Sequence, residues 1–371
     1  MALSSFSTTA DVRLMAAPQL PEPELTWKNV TVDGRKTAVF SLLRDSRGIM
    51  WIGTNSGLYF YDGVAVRPVG HGALAGAQIY SIAEHCGRLY LGANHGLVVY
   101  DCVSGAVSYS DAPVPKEIRC LLVSDGRLWI GSLYGMYGMD LGDGRVSDLS
   151  AGLPHRSVYS VLRDSRGIVY AGTFDGLARW DFSAGRFSAL RPDGDSSARK
   201  NLFVNCLLES ADGKSIYVGT EGSLYEYRPV SDSWSKVRPL ESNTVKSLAR
   251  GAGSEILVGT DNGVFVRSGD SLHHYRHDSR QELSLSDNEI WCIYADPDHN
   301  IWAGHERGFS IASNSSTVRT VRLSALAHTG EGNEIHVISR DSGGNLWLGG
   351  TNGIIRLAAP FVESKRSTRP R

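Results

Sequence analysis

No apolar run in the 371 residues approaches the ~20 needed to cross a bilayer as a helix. Nor is there a basic stretch leading into an apolar one near the start, MALSSFSTTADVRLMAAPQLPEPE, so no signal peptide is legible. Charge of either sign is scarce: charged residues make up 21%, and the net charge is −1. That balance gives no electrostatic footprint for nucleic acid or an anionic membrane. Cysteine is scarce too. The five form no C-x-x-C pair, so no disulfide framework is expected, and the redox compartment stays open. Glycine is abundant, at 41 residues, which suits many strands joined by many turns.

The chain is organised around residues 39–62, VFSLLRDSRGIMWIGTNSGLYFYD. This reads as three short strands broken by two tight turns. Val39 to Leu43 is apolar and β-branched. Asp45-Ser46-Arg47-Gly48 then supplies a carboxylate to cap backbone N–H groups and a Gly for positive φ. Three strands of this size cannot bury enough apolar surface to stand alone. The unit must recur, and it does so eight times. With the Gly of the W-I-G step as anchor, copies fall at Gly53, Gly92, Gly131, Gly172, Gly219, Gly259, Gly304 and Gly349, spaced by 39 to 47 residues. A several-stranded repeat of that period predicts an all-β chain folded as a β-propeller, one four-stranded blade per repeat.

The residue two before the anchor is large in every copy: Trp51, Tyr90, Trp129, Tyr170, Tyr217, Leu257, Trp302 and Trp347. A recurring residue of this kind predicts a packing layer between neighbouring blades, not a ladder of ligand-stacking rings. Cys120, Cys206 and Cys292 occupy the third residue of the first strand, where other copies carry Ser41, Ser81, Ser160 and Ser247. These cysteines are expected to be buried packing residues.

Residues 1–24 read as a flexible leader, 25–358 as a single propeller, and 359–371 as a tail. The repeat cores lie near 39–62, 79–101, 118–140, 158–181, 204–227, 245–266, 290–311 and 335–357. Residues 25–32 (LTWKNVTV) alternate like a strand ahead of the first repeat, whereas the last repeat has three strands and little after them. The two deficits match. An eight-bladed ring is therefore favoured, with 25–32 pairing with 354–357 so that no blade edge stays open. The alternative is a seven-bladed ring with one repeat left over to join a second propeller. The longer connections, at 186–203, 267–289 and 313–334, are where such folds carry specificity.

D-S-R-G-I-M-W-I-G-T-N-S-G-L-Y-F-Y-D resembles the two-component regulator propeller repeat of the periplasmic sensor regions of hybrid histidine kinases from gut anaerobes. Copies one, four and eight are nearest to it (DSRGIMWIGT, DSRGIVYAGT, DSGGNLWLGGT), and copy six departs, with Gly251 and Leu257 at the Asp and Trp positions. The resemblance implies a periplasmic sensor that binds a glycan-derived oligosaccharide or similar small molecule. Its partners would be a second propeller or a receptor dimer mate. No H-box, kinase ATP lid or receiver acidic cluster is legible in the chain, so it is not expected to be an enzyme or to carry a cofactor.

For the ligand, the second residue of each first strand is the candidate: Phe40, Tyr80, Arg119, Tyr159, Asn205, Lys246, Trp291 and His336. These vary in type while their flanks stay monotonous. Rings could stack on sugar C–H faces, and Arg119 or Lys246 could meet a carboxylate or sulfate. The alternative is that they plug the channel around ordered water. Neighbouring turns add Asn55, Asn94, His95, Asp175, Asp261, Asn262, Glu306, Arg307 and Asn352. His273, His274 and His277 have a spacing that metals use, but with no Cys or patterned acid beside them a locally hydrogen-bonded role is favoured and no metal site is expected. D-x-x-G-x-x-W differs from the Asp-box of sialidase propellers by one residue in its Asp-to-Gly step. No pair of carboxylates flanking one bond can be placed. The expected function is thus a ligand-sensing propeller, with a non-catalytic interaction scaffold as the alternative and a glycan-acting enzyme as the remote one.

Overall fold

The computed structural model describes residues 25–34, 36–70, 72–110, 113–191, 199–238, 240, 243–313, 334–351 and 353–357. The expected leader, the tail and Asn352 lie outside them. Two compact units result, one of them Leu25–Ser315. Among its described residues are seven four-stranded antiparallel sheets, each a blade. Blade one is Val39–Arg44, Met50–Thr54, Gly57–Tyr61 and Val66–Pro68, in that order from the channel outward. The first strands neighbour one another right round, Val39–Arg44 meeting both Ile79–His85 of blade two and Ile290–Ala295 of blade seven.

The repeat's chemistry explains the stacking. A Cβ built on Gly53 would lie 2.2 Å from Ser41 Oγ and 2.8 Å from the carbonyl oxygen of Ile79 in the next blade. The anchor is glycine because the neighbouring first strand closes onto it, and the same crowding holds the third residue to Ser or Cys. The large residue two before the anchor packs on the following blade, as expected. Trp51 lies 5.4 Å, centroid to centroid, from Tyr100, Trp129 5.7 Å from Trp180, and Trp302 5.7 Å from Tyr61. All three indoles are buried.

The Asp of the repeat also does more than cap a turn. Asp45 accepts from the backbone N–H of Arg47 and Ile49 and from Trp51 Nε1. The same carboxylate–indole bond joins Asp296 to Trp302 and Asp341 to Trp347. The motif is thus a structural brace.

The eight-bladed ring does not form; the chain has the seven-bladed alternative. Trp27–Val30 pairs antiparallel with Phe309–Ala312 and completes blade seven, not the last repeat. Only eight residues separate this strand from Val39, so completing blade seven sets blade one against it. The closure is well packed: Val39 and Ile52 of blade one share a core with Trp302 and Phe309 of blade seven. A Cβ on Gly304 would meet Val39 at 2.7 Å. In place of a single propeller over 25–358, the repeat at 335–357 forms a separate three-stranded sheet, Ile335–Arg340, Leu346–Gly350 and Gly353–Leu357. Val337 stands there at the Ser/Cys position, and the nearest atom to a Cβ on Gly349 is 3.7 Å away. Val337, Ile338 and Ile354 of this sheet are exposed.

Candidate functional site

Each candidate on the first strands sits on a β-bulge. In blade one Val39 pairs with Thr54 and Ser41 with Gly53, so Phe40 is the extra residue of the ladder. The same shift falls at Tyr80, Arg119, Tyr159, Asn205, Lys246 and Trp291. A bulge frees a side chain from the pleat and re-aims it, here toward the channel. The turn between second and third strands is tied to the same end: Asn55 N–H donates to Ala38 O at 3.1 Å, Phe174 N–H to Ser157 O at 3.0 Å and Asp261 N–H to Thr244 O at 3.3 Å. Bulge and turn therefore form one mouth.

Five of the seven side chains make a continuous wall across blades six, seven, one, two and three. Lys246 Nζ stands 3.6 Å over the Trp291 ring. Trp291 meets Phe40 edge to face at 5.8 Å, Phe40 meets Tyr80 at 5.4 Å, and Arg119 lies 3.9 Å over Tyr80. Tyr159 and Asn205 complete the circuit. Asn205 donates to Val245 O at 3.2 Å, and burial raises the pKa of the Tyr159 hydroxyl. Burial raises that of Tyr80 as well, with Arg119 opposing. His336 occupies the matching bulge of the separate three-stranded sheet and is exposed, so it is not one of the seven.

Three cations of the mouth are each paired with a carboxylate. Arg119 is paired with Glu117 at 3.0 Å and Lys246 with Glu289. Arg307 is paired with Asp287 at 3.3 Å, and Trp291 Nε1 donates to Glu306 at 2.7 Å. Arg119 Nε is buried with no acceptor among the described residues. Sequence reasoning missed Glu117, Glu289 and Phe203, which share one repeat position two residues before the bulge. It also missed Glu221 and Phe174, at the first turn position. Aligning those two columns as the bulge column was aligned would have found them.

The other candidates fall into place locally. Asn94 Oδ1 accepts from Gln78 N–H at 3.1 Å, His95 lies against Asn94, and Arg191 holds Asp175 at 2.6 Å. Asn262 O lies 2.7 Å from His274 Nε2, and His277 Nδ1 is 2.6 Å from Leu285 O. His274 stacks on Phe265 at 3.8 Å. The histidine run is thus hydrogen-bonded within blade six and its loop, and no group of three metal-ligating side chains occurs among the described residues. A cavity of about 300 Å³ between blades five and six, lined by Glu209, Asp212 and Arg250, lies at the other end of the first strands.

Residues 34–56 and 284–307, the repeats that meet where the ring closes, match the two component regulator propeller family. The extracellular domain of a putative hybrid two component system from B. thetaiotaomicron is 34% identical to the chain and matches over 92% of it, with a TM-score of 0.75. The chain belongs to the two-component regulator propellers. It spans 47% of that solved chain, about half its length. The extracellular domain of a second such system from the same organism matches over 90% of this propeller chain and 49% of its own, at 17% identity and a TM-score of 0.71. Virginiamycin B lyase from Staphylococcus aureus shares the fold alone: 12% identity, a TM-score of 0.63, 78% of this chain and 99% of that one. A search of curated proteins returned no match.

Proposed function

We propose that this chain is the ligand-recognising part of an extracytoplasmic two-component receptor, and that it takes a glycan-derived oligosaccharide or similar polar small molecule at the mouth. The relay then runs to a kinase outside this chain. The observation that supports this reading best is the set of seven bulges. Every blade spends a break in its ladder to aim one side chain at the same opening, and those side chains differ in type while the repeat around them does not. Structure alone would be served by seven identical residues.

The exposed Val337, Ile338 and Ile354 of the separate sheet are where a further propeller or a receptor mate would dock, since exposed apolar side chains grouped on one small sheet seek cover. The test is a thermal-shift screen against host and plant oligosaccharides, because a ligand bound only by the native state raises the melting temperature. A hit that Trp291→Ala and Phe40→Ala abolish supports the mouth. A hit unaffected by both substitutions places recognition elsewhere.

A further inference from the structure

The mouth is not symmetric. The first turn residue between second and third strands is Asn55 and Asn94 in blades one and two. It is Leu133 and Phe174 in three and four, and Glu221, Asp261 and Glu306 in five to seven. In the apolar sector aromatic rings run outward from the bulge ring. Tyr159 lies 4.5 Å from Phe203, Phe203 5.1 Å from Phe174, and Phe174 5.2 Å from His155, centroid to centroid. Phe174 is 45% exposed, as is 54% of neighbouring Tyr134. The blade does not need these rings, because the same place holds Asn, Glu or Asp elsewhere. The core beneath is complete without them, Trp129 and Trp180 packing on one side and Tyr170 and Tyr225 on the other. A preassembled, half-exposed aromatic row beside a polar mouth marks a binding surface.

We propose that this arc is a second subsite continuous with the bulge ring, and that it takes an extended, uncharged, polyhydroxylated chain. The proposal rests on the ring reading above and narrows it. Three features fix the occupant. First, successive ring planes are tilted by 46–52°. That suits a chain of separate saturated rings that turn along its length, and not a flat fused system. Second, the local backbone is already committed: Phe174 N–H goes to Ser157 O, Glu221 N–H to Phe203 O and Gly176 N–H to Leu202 O. Those three N–H groups are not offered for a peptide strand to pair with. Third, four cations at the mouth carry their own carboxylates, Arg119 with Glu117, Lys246 with Glu289, Arg307 with Asp287 and Arg191 with Asp175, while Arg156 donates to Tyr134 O. Glu221, Asp261 and Glu306 add further negative charge. A sulfated or uronic ligand would have to break an ion pair and face this surplus.

The experiment is calorimetric titration of the intact chain with cello-, malto-, xylo-, galacto- and fructo-oligosaccharides of one to six units. Oligogalacturonate and sulfated chondroitin oligosaccharides serve as the anionic arm. We expect binding by a neutral series, with affinity rising between one and about four units. Phe174→Ala, at an exposed site and with its melting temperature unchanged, should weaken the long members about tenfold and leave the shortest as it was. Three results would overturn the subsite while leaving the ring intact: equal affinity along the series, preference for the anionic arm, or loss of binding in Trp291→Ala with no effect of Phe174→Ala. Binding by no member of either arm would overturn both.

Discussion

Trp51 donates its indole N–H to Asp45, six residues earlier, at 2.9 Å, and Asp296–Trp302 and Asp341–Trp347 repeat that bond at the same length. It joins the two conspicuous letters of the motif. In blades one and seven the carboxylate closes the turn between the first two strands while the indole lies across the next blade, so each of these two braces links a turn to an interface. In blades two and three the link is absent: tight turns at Cys86-Gly87 and Asp125-Gly126, all four residues at positive φ, replace the Asp turn.

Asp45→Ala should accordingly cost about 1–3 kcal/mol, since it strands a buried indole N–H and two backbone donors. Burial pushes the Asp45 carboxyl up, but Trp51, Arg47 and the Ile49 N–H outweigh it and hold the pKa below its ordinary value. Its stabilisation is thus present above the ordinary Asp pKa and lost as pH falls through the folded value. Denaturant midpoints should show wild type losing its advantage over Asp45→Ala only in strong acid. A constant difference down to pH 2 would mean that the carboxylate charge is not what holds the indole.

A second titration belongs to His305, buried at the end of the second strand of blade seven, where four other blades carry Thr. Its Nδ1 accepts from Arg307 N–H at 3.2 Å, and Nε2 faces Ser286 and Ser310 at 2.9 and 3.0 Å. Burial lowers its pKa to about 4, with Asp287 opposing and Arg307 adding. The unfolded chain therefore takes up the proton first. Stability should fall as pH drops from about 6.5 to 4, by an amount on the order of 3 kcal/mol. Ser310 also donates to Asn29 of the closing strand, so the loss should appear first as opening of that strand. His305→Thr should flatten this window in melting curves. An unchanged pH profile in that variant would clear His305 of the role.

The five thiols should separate by reactivity. Cys86 is exposed, whereas burial lifts the Cys120 and Cys292 thiols to about 12 and raises that of Cys206 as well. Only thiolates react. A thiol reagent at neutral pH should label Cys86 quickly, half-buried Cys102 slowly, and the other three only after unfolding. Fast labelling at all five would contradict the packing of the first strands.

Much of this was legible beforehand, because the repeat encodes packing and packing recurs. Gly53 and Trp51 announce themselves by returning in every blade, and each proves to be a contact between blades. What recurs could not reveal what happens once. Eight copies in sequence read as eight blades, yet Val337, breaking the Ser/Cys column, was the letter that set the last copy apart. The bulge ring was legible as a varied column within a constant one. Its partners Glu117 and Glu289 were not, because both precede their strands and Glu289 meets Lys246 only across a blade boundary. The option of a carboxylate or sulfate at the mouth came from counting Arg119 and Lys246 without Glu117 and Glu289, which pair with them.

Closure gives the sharpest test of the fold. Trp27–Val30 completes blade seven through four register pairs, from Trp27 with Ala312 to Val30 with Phe309. Trp27 is buried against Leu257, Leu285 and Ile290, and its backbone N–H donates to Leu283 O at 2.9 Å. Asn29 adds a side-chain bond to Ser284 O at 2.9 Å. Removing residues 1–33 strips the outer edge of blade seven and uncovers a row of backbone groups beside Phe309. The ring should then lose much of its stability, with a melting temperature several degrees lower at least. Removing residues 316–371 takes away the separate sheet and should leave the transition of the ring where it was. The eight-bladed arrangement makes the opposite claim for the second truncation, since there the last repeat is a wall of the ring. If the C-terminal deletion melts the ring and the N-terminal one spares it, the seven-bladed closure is wrong.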